Sequence, residues 1–201
     1  MIHLHFVPSQ FQYVAVSGGI DSMVLYDFIK RHKKTILHFN HGTEFGKEAQ
    51  EFVCDYASKY KYPIELGKIS RPKLKSESWE EYWRNERYKF FDKFKGSIAL
   101  AHHLDDAVET YLFNMIHGNS WLMPASRGNV VRPFIITKKD KITSWADNHG
   151  IDFLDDPSNK NNKYSRSIIR NEMMKHVLKI NPGIHTVLIK KYKEATWLKS
   201  A

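Results

Sequence analysis

Short runs of strand-forming residues alternate with longer segments of helical periodicity over roughly the first 135 residues. Because parallel strands need long crossover connections, and helices supply them, this alternation indicates a mostly parallel sheet. We therefore predict an α/β fold with helices on the faces of the sheet. The predicted strands lie at 12–16, 35–40, 63–66 and 97–101, and the predicted helices lie between them or follow the last, beginning near 20, 45, 78 and 104.

The pattern changes after Arg132 and Pro133, where the clear strands stop. A helix is predicted over about 139–149, ending at Gly150, and a turn-rich stretch follows at 155–162. Two more helical segments flank the breaker at 181–183. No repeat or low-complexity linker separates these parts, so we expect one domain, with an α/β core at 1–137 and a helical extension at 138–201.

Composition narrows the class of protein. The chain has 201 residues, 42% of them hydrophobic, and a single cysteine, which excludes a disordered chain, a disulfide framework and a cysteine-rich metal module. It has no run of about 18 apolar residues, so no membrane span is expected. A cytoplasmic setting is the simplest interpretation. The net charge of +9 favours a polyanionic partner, although a solvated surface explains many such charges.

The first chemical motif is SGGIDS at 17–22, between a predicted strand and a predicted helix. Glycines there allow a tight turn whose amide groups, with the helix N-terminus, can hold a phosphate. The hydroxyls of Ser17 and Ser22 add donors, and Asp21 can hold Mg²⁺ against phosphate oxygens. The spacing fits neither a Walker A loop nor a dinucleotide fingerprint. An ordinary glycine turn remains the alternative.

The second motif, AHHLDDAVET at 101–110, begins where a buried strand ends, which is the sheet edge where α/β proteins bind ligands. Asp105, Asp106 and Glu109 can group as hard ligands for Mg²⁺. The alternative is that Asp106 is a helix N-cap with Glu109 completing its capping box. Adjacent histidines on a strand point to opposite faces, so we expect only one of His102 and His103 to enter a site.

Taken together, the two motifs resemble the PP-loop ATP pyrophosphatase group. Further strings make the chain similar to the tRNA(Ile)-lysidine synthase family over almost its whole length. That resemblance implies a Rossmann-like, adenine nucleotide alpha hydrolase-like fold. The further strings, in the order of that family, are HFNHG at 38–42, ERY at 86–88, VRPF at 131–134 and DDPSNKNNKYSRSIIR at 155–170.

The resemblance also implies a reaction in two steps. ATP adenylates the C2 carbonyl of the wobble cytidine in a minor isoleucine tRNA with a CAU anticodon, and free L-lysine then displaces AMP to form lysidine. ATP and Mg²⁺ are the implied cofactors, and tRNA and lysine are the implied partners. Matched to this sequence, the ATP loop is Ser17, Gly18, Gly19, Ile20, Asp21 and Ser22, the Mg²⁺ ligands are Asp21 and Asp106, the catalytic residues are Asp21, Arg84, Arg87, His102 and Asp106, and the tRNA contacts are Asn159, Tyr164, Arg166 and Arg170.

Some features depart from that family or leave alternatives open. Relatives usually carry extra C-terminal domains, so we expect a compact form without them. Ser167 stands where the family usually has asparagine. Outside the resemblance, Arg84 is expected to pair with Glu80 four residues earlier. The competing functions are another PP-loop enzyme that modifies or amidates tRNA, and a homologue that binds tRNA without catalysis.

Overall fold

A computed structural model describes residues 2–157 and 165–197 of the chain. Within these residues a single sheet of six strands carries the fold. The first four strands follow the predicted ones closely, whereas the last two were not predicted. The strands are β1 (Tyr13–Ala15), β2 (Thr35–Asn40), β3 (Ile64–Lys68), β4 (Ile98–Ala99), β5 (Ser126–Arg127) and β6 (Val130–Val131).

The strand order is β3-β2-β1-β4-β6-β5, and every pairing is parallel except that of β5 with β6. In the centre, Val14 of β1 pairs with Ile36 on one side and Ala99 on the other. The chain leaves β1 toward β2 and returns to the opposite side of β1 at β4. The carboxyl ends of β1 and β4 therefore flank the point where the order reverses, which is where open α/β sheets bind ligands. The predicted mostly parallel sheet is confirmed.

The helices connect the strands and form the C-terminal part of the described chain. A π-helical turn at Ile169–Met173 joins two of them, which the periodicity of the sequence did not reveal. The helices are α1 (Ile20–Ile29), α2 (Glu44–Tyr60), α3 (Trp79–Phe91), α4 (Leu104–Ile116), α5 (Lys139–His149), α6 (Ser165–Ile168), α7 (Met174–Ile180) and α8 (Ile184–Trp197).

Two of the predicted helix boundaries are confirmed by the structure. Ser78 precedes α3 and its side chain accepts a hydrogen bond from Glu81 N at 3.1 Å, as expected of an N-cap. Gly150 follows α5 with φ of 57°, the left-handed conformation that ends many helices. Ser78 thus supplies an acceptor for a backbone N–H that the start of a helix leaves unpaired, and Gly150 turns the chain away at the end of α5.

Apolar residues are buried on both faces of the sheet. On one face, Val14 of β1 and Met23 of α1 pack in a cluster that also includes Ile142 of α5. On the other face Phe90 of α3 lies against β3, and an added Cβ at Gly67 would come within 2.6 Å of its ring. Only glycine therefore allows this close approach of helix and strand.

The C-terminal helices pack onto the α/β core. Leu188 and Tyr192 of α8 are buried with Leu104 and Val108 of α4. Burial of this kind stabilises the fold by roughly 25 cal/mol per Å² of apolar area removed from water. It joins the C-terminal helices to the α/β core. Among the described residues, no helix has both the length and the apolar character needed to cross a membrane.

Candidate active site

The loop at 17–22 turns the chain sharply from β1 into α1. Gly18 adopts φ of 90°, a conformation that disfavours other residues. Ser22 Oγ donates to Gly19 O at 2.9 Å and accepts from Ser17 N at 3.1 Å. The loop is therefore held by its own side chains, and it presents the N-terminus of α1, the end of a helix that favours an anion.

His103 is the N-cap of α4. Its Nδ1 accepts a hydrogen bond from Asp106 N at 3.4 Å, and Asp106 Oδ2 accepts one from His103 N at 2.9 Å. The capping alternative for Asp106 was therefore wrong in its details. Asp106 is the third residue of the helix and completes a box whose cap is histidine, and Glu109 takes no part in it.

The phosphate loop and the acidic start of α4 meet at His103. Its Nε2 lies 3.7 Å from Asp21 Oδ1 and 3.5 Å from Asp106 Oδ2. Because Nδ1 accepts a hydrogen bond, a neutral ring carries its proton on Nε2, between the two carboxylates. These contacts bring the two motifs together at one edge of the sheet.

Both adjacent histidines reach this region, so the expectation that only one would do so was wrong. The strand ends at Ala99, and His102 and His103 lie beyond it, where the alternation of a strand no longer applies. His102 lines the cavity beside this edge of the sheet. Burial, opposed by Asp106 and assisted by Arg132, lowers the pKa of His102 to about 3, so its ring is neutral near pH 7.

A cavity of about 340 Å³ opens beside the carboxyl end of β4. Its wall combines arginines, carboxylates and aromatic rings, a composition that suits a nucleotide better than an apolar ligand. Its lining includes Trp83, Arg84, Arg87, Tyr88, His102, Asp106, Glu109, Trp121, Arg127, Arg132, Arg166 and Arg170.

The ERY and VRPF motifs converge on this cavity. Glu86 is buried and accepts hydrogen bonds from Ser70 N and Oγ, both at 2.7 Å, which ties the loop before α3 to the helix. Arg87 lines the cavity itself. Tyr88 Oη accepts a hydrogen bond from Arg132 Nη2 at 3.4 Å. One residue of ERY therefore holds the loop, and the other two form the wall.

Arg170, which the family resemblance assigns to tRNA, lies in the cavity and is paired with carboxylates. Its Nη2 is 2.7 Å from Glu109 Oε2 and 3.5 Å from Asp106 Oδ1. Burial raises the pKa of Glu109 above its usual range, although Arg170 opposes this effect. Burial also opposes ionisation of Asp106, but His103, through its ring and its backbone amide, and Arg170 hold the pKa of this carboxyl below its usual range.

Arg166, assigned to tRNA in the same way, also lines the cavity. Its Nη1 donates to Thr110 Oγ1 at 3.2 Å, and its Nε lies 3.4 Å from Glu80 Oε1. The alternative prediction that Glu80 pairs with Arg84 was wrong, since Glu80 turns to Arg166 and Arg84 lines the cavity. The other two predicted tRNA contacts, Asn159 and Tyr164, lie outside the described residues.

Several residues of the site were missed or set aside at the sequence level. His103 was not selected because strand alternation predicted that only one of the two adjacent histidines enters the site. Lys139 was not distinguished from the other lysines of the chain. Lys139 Nζ lies 2.5 Å from Asp21 Oδ1, and its backbone amide donates to Asp105 Oδ2 at 2.7 Å. The signal that could have found Lys139 is its position at the first turn of a predicted helix, just after the VRPF motif.

The donor set fits Mg²⁺ bound together with phosphate. Within residues 2–157 and 165–197 no three histidine, cysteine, aspartate or glutamate side chains group as a metal site. Mg²⁺ usually takes one or two protein carboxylates and completes its shell with substrate phosphates and water. Asp21 and Asp106, which share His103 as a neighbour, supply that number of carboxylates.

The fold and the loop define a nucleotide-binding α/β protein of the PP-loop class. A family model described as a PP-loop domain matches residues 4–177, and the chain belongs to that family.

Curated relatives narrow the similarity. The chain is 31% identical over 190 residues to a tRNA(Ile)-lysidine synthase of Thermotoga maritima, covering 85% of this chain and 46% of that protein. It is 33% identical over 196 residues to the protein of the same name from Persephonella marina, covering 88% and 43%. The one from Bacteroides thetaiotaomicron is 31% identical over 202 residues, covering 92% and 47%. The chain thus spans about half the length of the curated relatives it matches.

A solved structure is also similar. It is a phosphoadenylyl-sulfate reductase from Candida auris in a phosphate complex, with a TM-score of 0.47, 10% identity, and coverage of 70% of this chain and 73% of that chain.

Proposed function

We propose that this chain ligates free L-lysine to the wobble cytidine of a minor isoleucine tRNA with a CAU anticodon, using ATP and Mg²⁺. The observation that carries the proposal is the meeting of Asp21 and Asp106 at His103, beside the cavity of about 340 Å³. A phosphate loop alone would serve many nucleotide enzymes. Its contact with a second acidic motif and an arginine-lined cavity supports a site for both ATP and a nucleotide substrate.

The proposed reaction has two balanced steps. The C2 carbonyl oxygen of cytidine attacks the α-phosphorus of ATP, an O–P bond forms, and the bond to pyrophosphate breaks. The ε-amino group of lysine then attacks C2, a C–N bond forms, the bond to the AMP oxygen breaks, and the amine loses a proton. Mg²⁺, held by Asp21 and Asp106, would neutralise the negative charge of the phosphates.

Each predicted residue has a part in this proposal. The loop Ser17–Ser22, which includes Gly18, Gly19 and Ile20, binds the phosphates through its amide groups and hydroxyls. Arg84 and Arg87 stabilise the charge that develops on the adenylate and pyrophosphate. His102 is neutral and offers a hydrogen-bond acceptor to the substrate.

Arg166 and Arg170 contact the entering nucleotide of the tRNA, together with Asn159 and Tyr164. We treat residues 1–201 as one catalytic domain, with the nucleotide-binding core at 1–137, acting on tRNA in the cytoplasm.

The decisive experiment incubates the protein with ATP, labelled lysine and a CAU-anticodon isoleucine tRNA. Incorporation of lysine into that tRNA, and not into one with a different wobble base, is the expected result. Pyrophosphate release without lysine incorporation would point to another nucleophile and hence to another PP-loop enzyme. Binding of tRNA with neither product would point to a non-catalytic homologue.

A further inference from the structure

A second cavity of about 470 Å³ adjoins the central one. The two share Arg84, Tyr88 and Arg127 in their walls. The second cavity lies between α3 and the turn that joins β5 to β6, where Gly128 adopts φ of 58° and an added Cβ would meet open space. The two cavities are therefore neighbours with a shared wall, and the second cavity together with this wall is here called the α3–hairpin groove.

Four arginines along this groove and at its inner end have no carboxylate within ion-pair distance among residues 2–157 and 165–197. They are Arg84, Arg87, Arg127 and Arg132.

Other arginines in the same part of the molecule are paired. Arg71 contacts Glu77 and Glu86, and Arg166 and Arg170 contact Glu109. Clustered cations without counter-charges repel one another and gain free energy when an anion joins them. The described lining of the second cavity contains one carboxylate, that of Asp92, which lies at the end of α3.

Aromatic rings accompany these cations. The guanidinium groups of Arg84 and Arg87 lie 5.5 and 6.0 Å from the ring centre of Tyr88. Trp121, which lines the central cavity, is 56% exposed. Rings and guanidinium planes beside unpaired positive charge match single-stranded RNA, whose bases stack while its phosphates seek cations.

We propose that the α3–hairpin groove binds the phosphodiester backbone of the RNA nucleotides next to the one that enters the central cavity. Arg127 contacts a phosphate, and Tyr88 stacks with a base. The inference rests on the proposed function only in taking RNA as the substrate. It adds a binding surface whose described lining does not include Arg166 or Arg170, and a free nucleotide in the central cavity would not need it.

Arg127 gives the sharpest test because it is exposed on the short strand β5, apart from the phosphate loop. Binding of a labelled anticodon stem-loop with a CAU loop is measured by fluorescence anisotropy over a series of salt concentrations. Arg127→Gln should weaken binding several-fold and reduce the slope of log K against log salt by about 0.7 to 0.9, the value for one lost phosphate contact. Arg127→Lys should keep the slope.

The matched control is Arg31→Gln, which removes the same charge from an exposed residue just after α1, at the opposite end of that helix from the phosphate loop. ATP affinity is measured in parallel and should be unchanged in both variants. Equal slopes for Arg127→Gln and Arg31→Gln would overturn the proposal. So would a loss of ATP affinity in Arg127→Gln, which would assign the groove to the triphosphate, or an absence of RNA binding by the unmodified chain.

Failure of the groove and failure of the proposed function give different results. A chain that binds the stem-loop with an Arg127-dependent slope but incorporates no lysine would contradict the function and support the groove. A chain that incorporates lysine and shows no Arg127 dependence of RNA binding would support the function and remove the groove.

Discussion

Lys139 Nζ lies 2.5 Å from Asp21 Oδ1, although the two residues are far apart in the sequence. Lys139 is the first residue of α5, and its backbone amide donates to Asp105 at the start of α4. One residue thus connects the phosphate loop, α4 and α5. It also holds a cation at the edge of the loop, where the phosphates of a nucleotide would lie.

Replacing Lys139 with methionine should therefore weaken ATP binding. Loss of one charge-assisted hydrogen bond to a phosphate costs about 1.5–3 kcal/mol, which is roughly 10-fold to 100-fold in affinity. Calorimetric titration with ATP in the absence of RNA measures the change. The matched control is Lys141→Met, which removes a lysine that pairs with Asp140 on the exposed side of α5. Equal ATP affinity in the two variants would contradict the prediction.

Asp21→Asn and Asp106→Asn should each stop pyrophosphate release while leaving RNA binding largely intact. Asparagine keeps the size of the side chain and an acceptor for the capping contact at Asp106, but it removes the charge that Mg²⁺ and its phosphates require. A loss of at least about 100-fold in the pyrophosphate-release rate is expected. Asp140→Asn, an exposed substitution on α5, serves as the control. Normal release by either site variant would remove that residue from the proposed metal site.

Gly18 and Gly19 should respond differently to alanine. Gly18 has φ of 90°, and an added Cβ would make ordinary contacts with Phe52 and Val53 at 3.5 and 3.6 Å, so the cost comes from backbone strain. Gly18→Ala is expected to lower the free energy of unfolding by about 1–3 kcal/mol. Gly19 has φ of −75° and open space around it apart from Ser17 Oγ at 3.6 Å, so Gly19→Ala should unfold at the same urea concentration as the original chain. Equal losses in both variants would show that strain at Gly18 is not the cause.

The sheet and most helix boundaries could be predicted from the sequence because local signals determine them. Buried β-rich runs, the cap at Ser78 and the terminating Gly150 act within a few residues. The β5–β6 hairpin could not be predicted in this way. Its strands have two residues each, and pairing rather than composition defines them: β6 pairs with β4, and β5 pairs with β6.

The residues of the candidate site likewise divide into those that local sequence predicts and those that it does not. Its two motifs could be recognised because each is a contiguous string that directly follows a predicted strand. The partners of Arg166 and Arg170 were not visible, since Glu109 and Thr110 reach them across about 60 residues of chain. His103 was misjudged because the strand rule was applied beyond the last strand residue. Contacts between distant segments decide these details, and single-sequence periodicity does not contain them.

Asp105 should make the stability of the folded chain depend on pH in the acidic range. Its Oδ1 lies 3.0 Å from His185 Nε2 of α8, and its Oδ2 accepts from Lys139 N, so it ties two C-terminal helices to α4. Burial opposes ionisation, but these hydrogen bonds lower the pKa of Asp105 to about 2, from an ordinary value near 3.8. Below about pH 4 the unfolded chain therefore takes up a proton that the folded chain refuses.

The contribution of Asp105 to stability is thus fully present above about pH 4 and is lost as the pH falls toward 2. Asp105→Asn should be less stable than the original chain at pH 7, and the difference should shrink between pH 4 and pH 2. Thermal unfolding measured by circular dichroism across this range tests it. Asp140→Asn, whose carboxylate is exposed beside Lys141, should keep the pH dependence of the original chain. A difference between Asp105→Asn and the original chain that stays constant from pH 7 to pH 2 would show that the tie between α4 and the C-terminal helices does not depend on the charge of Asp105.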